Sequence, residues 1–177
     1  MNQVKLYIAA SLDGYIARPD GNLDWLNTIP APDTGDYGYA DLLNSIGTTI
    51  MGRKTYEEVI GFGVEWPYGD LHSYVVTSDP GFQVSTPNTF VQNGDLNAFI
   101  RKLKDRSDKD IWLIGGGRLI THFLNHGLID RMILTLVPII LGDGIPLFPD
   151  RPKESNWTLA EVKSYNTGLV NLTYDKR

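Results

Sequence analysis

The feature that most constrains the fold is an uninterrupted apolar run at residues 111–114, followed at once by three glycines at 115–117. A run that is apolar at every position is typical of a strand covered on both faces, as in parallel sheets. The apolar residues after the glycines recur at helical spacing: Leu119, Ile120, Phe123 and Leu124. This segment therefore predicts a buried strand, a tight glycine turn and a helix.

Similar signals recur along the whole chain. Strand candidates lie at residues 4–10, 15–17, 48–51, 74–77 and 89–91, and helix candidates at 39–46, 56–60 and 96–103. Three further strand candidates close the chain at 131–137, 157–162 and 169–174, and no helix separates the last two. The order predicts one α/β domain over residues 1–177, with a mixed, mostly parallel central sheet, helices on both faces and a C-terminal antiparallel hairpin.

Composition excludes several functional classes. The net charge of −5 and the lack of a basic cluster argue against nucleic-acid binding, because phosphate backbones require grouped Lys and Arg. The chain has no cysteine, and its three histidines have no accompanying ligands, so we predict no metal site. The most apolar stretch, residues 132–141, is too short for a membrane span, and the N-terminus has no signal-peptide pattern. We expect a cytoplasmic protein with a small-molecule substrate.

A second glycine loop, residues 52–55 (GRKT), stands between a strand candidate and a helix candidate. Glycine lets a backbone approach a ligand closely, and the free N–H groups of a helix start attract anions. Taken alone, each of the two loops is explained equally well as an ordinary strand-to-helix turn. The triplet at 115–117 does not meet the dinucleotide fingerprint, since Ile120 stands where its third glycine belongs, and it is no P-loop.

Taken together, the segments 50–57 (IMGRKTYE) and 114–118 (IGGGR) resemble the dihydrofolate reductase superfamily in order and spacing. The segments 11–14 (SLDG), 128–130 (LID) and 137–144 (VPIILGDG) look more like the C-terminal reductase domain of the bifunctional deaminase-reductases of riboflavin biosynthesis, and its stand-alone relatives. The resemblance spans nearly the whole chain. It implies a dihydrofolate-reductase-like fold and an NADPH-dependent reductase.

The resemblance implies a cofactor site made of both glycine loops. Arg53 and Thr55 would hold cofactor phosphates, Arg53 near the 2′-phosphate, with Gly52 at the turn and Lys54 adding charge. The pyrophosphate would rest on the second loop and the helix after it: Gly115, Gly116, Gly117, Arg118, Leu119 and Ile120.

Further cofactor contacts follow from the same resemblance. Thr77 and Ser78 occupy the place that supplies hydroxyls to the 2′-phosphate, which favours NADPH over NADH. Ala9 and Ile16 align with positions whose backbone contacts the nicotinamide carboxamide.

Reduction needs a hydride from the cofactor and usually a proton from a nearby acid. In dihydrofolate reductases that acid begins the helix before the Met-Gly-Arg strand, and an ungapped count back from Gly52 reaches Asp36. Asp41, one turn further on, takes the role if the alignment contains a small gap.

Three residues are expected near the substrate. Trp25 resembles the active-site tryptophan of the family, and Thr135 resembles the threonine that supports the acid and the pterin. Asp13 could reach the mouth of the pocket, although Asp before Gly also favours a tight turn without any further role.

The departures from the family leave the substrate open. Leu71 stands where a dihydrofolate reductase has the arginine that clamps folate, and the zinc ligands of a deaminase domain are missing. We predict hydride transfer to a small pterin-like, pyrimidine or other conjugated heterocycle. The alternatives are a nucleotide-binding protein of the same fold without turnover, and a true dihydrofolate reductase. We predict a homodimer, because the related proteins tend to be dimeric and because segment 137–141 has more apolar residues than one strand needs.

Overall fold

The computed structural model describes residues 2–33 and 35–177. Its strands are β1 (Val4–Ser11), β2 (Tyr15–Ala17), β3 (Ile46–Gly52), β4 (His72–Val76), β5 (Thr89–Gln92), β6 (Asp110–Gly115), β7 (Arg131–Val137), β8 (Ile145–Pro146), β9 (Trp157–Ser164) and β10 (Val170–Lys176). Its α-helices are α1 (Tyr39–Ser45), α2 (Arg53–Gly61), α3 (Leu96–Arg106) and α4 (Gly117–Asn125), and a short 3-10 helix covers Asp24–Thr28.

Eight strands form one sheet in the order β5-β4-β3-β6-β1-β7-β10-β9. The pairs from β5 to β7 are all parallel, and β10 runs antiparallel to both β7 and β9. The predicted mostly parallel sheet with a terminal antiparallel hairpin is therefore confirmed. The sequence did not predict β8, which pairs with β2, because two residues are too few for a periodic signal.

Helices cover both faces of the sheet, as predicted. On one face Ile100 of α3 and Phe123 of α4 pack against Leu6 and Ile111 in the larger core cluster. On the other face α1 and α2 pack against a second cluster that contains Met51. Asp95 caps α3, since its side chain accepts a hydrogen bond from the N–H of Ala98. The two faces follow from the alternation of side chains along each strand.

The long connection between β2 and α1 covers the end of the sheet near β7 and β10. Its 3-10 helix places Trp25, only 1% exposed, against Val137 and Leu169. Ile139 and Leu141 pack around the same cluster, which leaves Ile140 as an exposed residue of segment 137–141. Within this segment Val137 is buried, Ile139 and Leu141 are half-buried, and Pro138 and Ile140 are exposed, so part of the apolar segment remains on the surface.

The sheet ends at β9, which pairs with β10 alone among the described residues. Leu159 and Val162 on this edge strand are 51% and 56% exposed. They lie opposite Tyr174 and Leu172 of β10, so they share one face of the sheet. None of the described helices is long and apolar enough to cross a membrane.

Candidate active site

The two glycine loops meet at the carboxyl ends of β3 and β6. These strands are parallel neighbours, and Met51 lies opposite Gly115. A Cβ atom added to Gly52 would lie 3.8 Å from the Gly115 carbonyl oxygen, and one added to Gly116 would lie 3.3 Å from Thr55 Oγ1. The structure therefore brings together the N-termini of α2 and α4, and free helix N–H groups at such a place favour an anion.

Each glycine of the triplet has its own physical reason. Gly115 has a φ of +136°, a conformation that side chains rarely allow. A Cβ atom on Gly116 would enter the space beside Thr55. A Cβ atom on Gly117 would lie 2.8 Å from the Pro146 carbonyl oxygen and 2.9 Å from Pro149 Cδ. The first glycine therefore shapes the turn, the second keeps the groove open, and the third lets α4 pack against residues 146–149.

The first loop carries a charge cluster. Arg53 Nε donates to Glu57 Oε1 at 2.7 Å and Nη1 donates to Asp79 Oδ2 at 2.9 Å, while the guanidinium stacks on Phe82 at 4.7 Å from the ring centre. The hydrogen bond to Glu57 is the main cause of a raised pKa at Arg53. Thr77 lies in the same cluster, because its Oγ1 accepts from the Asp79 N–H at 3.1 Å. Sequence reasoning named Arg53 and Thr77 but missed both carboxylates.

The remaining residues that were predicted to bind phosphate differ in their exposure and in their existing contacts. Lys54 and Ser78 are exposed beside the cluster, and Arg118 is 89% exposed with Nε 3.4 Å from Asp150 Oδ2. Leu119 is half-buried. Ile120 has its side chain in the core, and its N–H already donates to the Gly116 carbonyl at 3.0 Å. Its contribution is therefore to hold the glycine turn against α4.

A cleft of about 390 Å³ lies on the α1 face of the sheet. Ala9 of β1 and Thr135 of β7 are paired neighbours and form its floor with Tyr7. The wall consists of apolar and aromatic residues from the long connection and from the β9–β10 turn: Leu26, Ile29, Pro30, Ala31, Tyr37 and Leu169. The predicted residues Ala9 and Thr135 thus lie side by side in one cleft. Ile16 is buried in β2, within the larger core cluster.

A hydrogen-bond network runs under the cleft. Thr135 Oγ1 donates to Asn171 Oδ1 at 2.7 Å, and Asn171 Nδ2 donates to the Tyr37 carbonyl at 2.7 Å and to Tyr165 Oη at 3.2 Å. Tyr7 Oη also donates to the Tyr37 carbonyl, at 3.2 Å. These bonds fix Tyr37, the residue that follows Asp36, against the floor of the cleft.

Tyr7 places a hydroxyl in the cleft that the sequence reasoning did not consider. Burial is the main reason that its pKa is raised to about 12, so the hydroxyl keeps its proton at neutral pH. One signal could have found it, because Tyr7 stands two residues before Ala9 and must share its face of the strand. No comparable signal exists for Asn171, whose place opposite Thr135 depends on the register of β10.

Asp36 lies at the start of α1, as predicted, and its carboxylate caps that helix. It accepts hydrogen bonds from the N–H groups of Gly38 at 3.1 Å and Ala40 at 2.7 Å. Asp41 is exposed in the first turn of α1, and neither Asp36 nor Asp41 is among the residues that line the cleft, although Tyr37 is. Trp25 lies beneath the wall, and its buried Nε1 has no partner among the described residues. Whether any of the three acts on a substrate stays a prediction.

Asp13 connects the turn after β1 to the segment after β7 by hydrogen bonds. Its carboxylate accepts hydrogen bonds from Ser11 Oγ at 2.6 Å, from the Leu141 N–H at 3.1 Å and from the Gly142 N–H at 2.7 Å. The bond from Ser11 is the main cause of a lowered pKa at Asp13, and the two backbone donors act in the same direction. This geometry gives Asp13 a structural role, while its predicted contact with substrate stays untested.

The model of the family described as "RibD C-terminal domain" matches residues 2–171. This chain belongs to the RibD C-terminal domain family. It is 39% identical over 164 residues to the uncharacterized protein YwjB of Bacillus subtilis, covering 93% of this chain and 92% of that protein. The resemblance to riboflavin reductase domains, inferred from the segments 11–14, 128–130 and 137–144, is therefore confirmed at the level of the family.

Two solved structures are similar in fold to this RibD C-terminal domain. A putative riboflavin biosynthesis protein from Shewanella sp. PV-4 is 32% identical, with a TM-score of 0.88 and 99% of both chains covered. Dihydrofolate reductase from Enterococcus faecalis, in complex with NADP(H), has a TM-score of 0.68 at 16% identity, covering 99% of this chain and 96% of that one. The second likeness shows a shared fold and confirms the expected dihydrofolate-reductase-like architecture.

Gly117→Ala should destabilise this RibD C-terminal domain, because the added Cβ meets backbone and ring atoms that cannot turn away. We expect a loss of about 1–3 kcal/mol in the free energy of unfolding, measured by urea denaturation. Gly61→Ala is the matched control, since Gly61 ends α2 facing open space, and it should be neutral or slightly stabilising. Equal midpoints for the two variants would contradict the packing role of Gly117.

Asp13→Asn should lower stability at neutral pH, because the amide loses the charge that the Ser11, Leu141 and Gly142 donors stabilise. The pKa of Asp13 in the folded state lies below its ordinary value of 3.8. The stabilisation is therefore complete above that value and is lost as the pH falls through the folded-state pKa. Thermal unfolding at a series of pH values should show the gap to wild type narrowing below about pH 4.

Asp70→Asn, at another exposed aspartate, is the control for the Asp13 experiment and should follow the wild-type curve. A gap between wild type and Asp13→Asn that stays constant down to the lowest pH would contradict the role of the ionised carboxylate.

Proposed function

We propose that this protein is a reductase that uses NADPH to reduce a small, flat heterocycle of pterin-like, pyrimidine or other conjugated type. The observation that carries the proposal is the meeting of the two glycine loops next to the apolar cleft. The strand β6, which ends in Gly115, pairs with β3 on one side and with β1 on the other, and Ala9 of β1 lines the cleft. The glycine turns and the cleft therefore belong to neighbouring parallel strands, whose carboxyl ends share one edge of the sheet.

The residues of the groove fit a dinucleotide. Gly52 and Gly116 leave open the space that a Cβ atom would fill, and Thr55 offers a hydroxyl beside it. The N-termini of α2 and α4 supply N–H groups for a pyrophosphate. Bound NADPH would supply the hydride. The likeness to a dihydrofolate reductase in complex with NADP(H) supports this choice of cofactor.

The protein's own part in the reaction is to position the substrate and to supply a proton. The apolar wall of the cleft excludes water from one face of a flat ring, and Thr135 and the protonated Tyr7 offer hydroxyl groups on the floor. We propose Asp36, the neighbour of the cleft residue Tyr37, as the proton source, with Asp41 as the alternative. Tyr7 and Asn171 donate hydrogen bonds to the Tyr37 carbonyl and fix this residue. The backbone of the neighbouring Asp36 is thereby held in place.

One feature supports a further part of the proposal. The exposed edge strand β9, with Leu159 and Val162 on one face, supports a homodimer, because such edges are usually covered. We also propose that the chain is a single domain and that the protein is cytoplasmic.

Titration with NADPH, followed by NADPH oxidation against a panel of heterocycles, tests the proposed function. We expect saturable binding and oxidation with at least one pterin or pyrimidine. Binding without oxidation of NADPH by any member of a wide panel would favour the nucleotide-binding alternative. Turnover of dihydrofolate above all other compounds would favour a true dihydrofolate reductase. Absence of binding would contradict all three functions.

Asp36→Asn should lower turnover with the substrate found in that panel while leaving NADPH affinity nearly unchanged. Asparagine keeps one of the two oxygen acceptors that the Gly38 and Ala40 N–H groups use, so the substitution removes the acid at the cost of one exposed hydrogen bond. We expect a loss in kcat of about 100-fold, the low end for removal of a general acid. Steady-state kinetics with Asp41→Asn as the matched control assign the role. Full activity of Asp36→Asn with an impaired Asp41→Asn would transfer the role to Asp41.

A further inference from the structure

We propose that Asp79 weakens the preference for NADPH over NADH, so that this protein binds both nucleotides with similar affinity. The inference rests on the proposed function, because it concerns the adenosine end of the same cofactor site. It adds a specificity-determining residue that lies next to Thr77 and Ser78.

The cation expected to receive the 2′-phosphate is already paired. Arg53 is bound on two sides, by Glu57 at Nε and by Asp79 at Nη1, and its flat face rests on Phe82. These contacts hold the guanidinium in one orientation, with the Nε donor and one Nη1 donor turned towards carboxylates. A 2′-phosphate that binds the remaining donors would lie close to the Asp79 carboxylate.

Asp79 is itself held in place. Its Oδ1 accepts from the Gly81 N–H at 2.9 Å, and its own N–H donates to Thr77 Oγ1 at 3.1 Å. These bonds fix the carboxylate within the turn at residues 79–81. The turn follows directly on Thr77 and Ser78, the predicted phosphate-binding hydroxyls, so the carboxylate lies next to the expected position of the 2′-phosphate.

The charges of this cluster cancel. Arg53 and Lys54 contribute two positive charges, and Glu57 and Asp79 contribute two negative charges. A phosphate that approaches a cluster without net charge gains little long-range attraction, and it meets direct repulsion from the nearer carboxylate. The 2′-phosphate of NADPH therefore adds less affinity here than at a site with an unpaired arginine.

The same carboxylate suits NADH. Its ribose has a free 2′-hydroxyl, which can donate a hydrogen bond to a carboxylate, as acidic residues at other dinucleotide sites accept from that group. Asp79 thus favours the hydroxyl and disfavours the phosphate, while Arg53 has the opposite preference. Because the two residues are paired, their preferences offset each other.

Fluorescence titration with NADPH and with NADH, on wild type and Asp79→Asn, tests the inference. Asparagine keeps the acceptor for the Gly81 N–H and removes the charge, so we expect the turn to persist. Wild type should bind the two nucleotides within about tenfold of each other. Asp79→Asn should bind NADPH about fivefold more tightly, the size of one exposed charge interaction, with less than about twofold change for NADH.

Asp105→Asn is the matched control, because it removes the same charge from the C-terminal part of α3, which leads into the amino end of β6. It should leave both dissociation constants unchanged. A wild-type preference for NADPH above about a hundredfold, or an unchanged NADPH affinity in Asp79→Asn, would overturn the inference and leave the proposed function standing. Lack of binding of both nucleotides to wild type would instead contradict the proposed function.

Discussion

The parallel pairing of β3 with β6 is the constraint on which the candidate site depends. Parallel strands that are neighbours end at the same edge of a sheet, so the turns that follow them must share space. In this protein the turns are Gly52 and the triplet at 115–117, and a Cβ atom on Gly52 would already be in van der Waals contact with the Gly115 carbonyl oxygen. A slip of one residue in this pairing would reverse the faces of β3 and separate the loops.

A second feature of the site is the separation of its charged side chains from its neutral polar groups. Asp13 and Asp36 stay exposed and satisfy backbone N–H groups, whereas the groups on the cleft floor are the hydroxyls of Tyr7 and Thr135. Burying an uncharged hydroxyl with a partner costs far less than burying a carboxylate. The resulting cleft is largely apolar with neutral hydroxyl groups on its floor, which suits a flat heterocycle better than a ligand with a charged tail. The leucine at position 71 in place of a folate-clamping arginine agrees with that preference.

Local sequence patterns predicted most elements because each depends on residues close in the chain. The apolar run at 111–114, the spacing along α3 and the cap at Asp95 need no distant partner to form their signal. The resemblance then predicted the family and the two loops together. The groups that sequence patterns did not predict, Asn171 and Asp79, depend instead on contacts between residues that are distant in the chain. Asn171 meets Thr135 across 36 residues and Asp79 meets Arg53 across 26, so no local pattern marks either pair.

The sequence by itself determined the α/β fold, the family and the positions of both glycine turns, since periodicity and glycine are local signals. Only the tertiary structure decided which polar groups share a site. It committed the carboxylates of Asp13 and Asp36 to backbone N–H groups, placed the Tyr7 hydroxyl in the cleft and paired Arg53 with two carboxylates. The reason is physical: hydrogen bonds and ion pairs form between atoms that the strand register and loop packing bring within about 3 Å, whatever their separation in the chain.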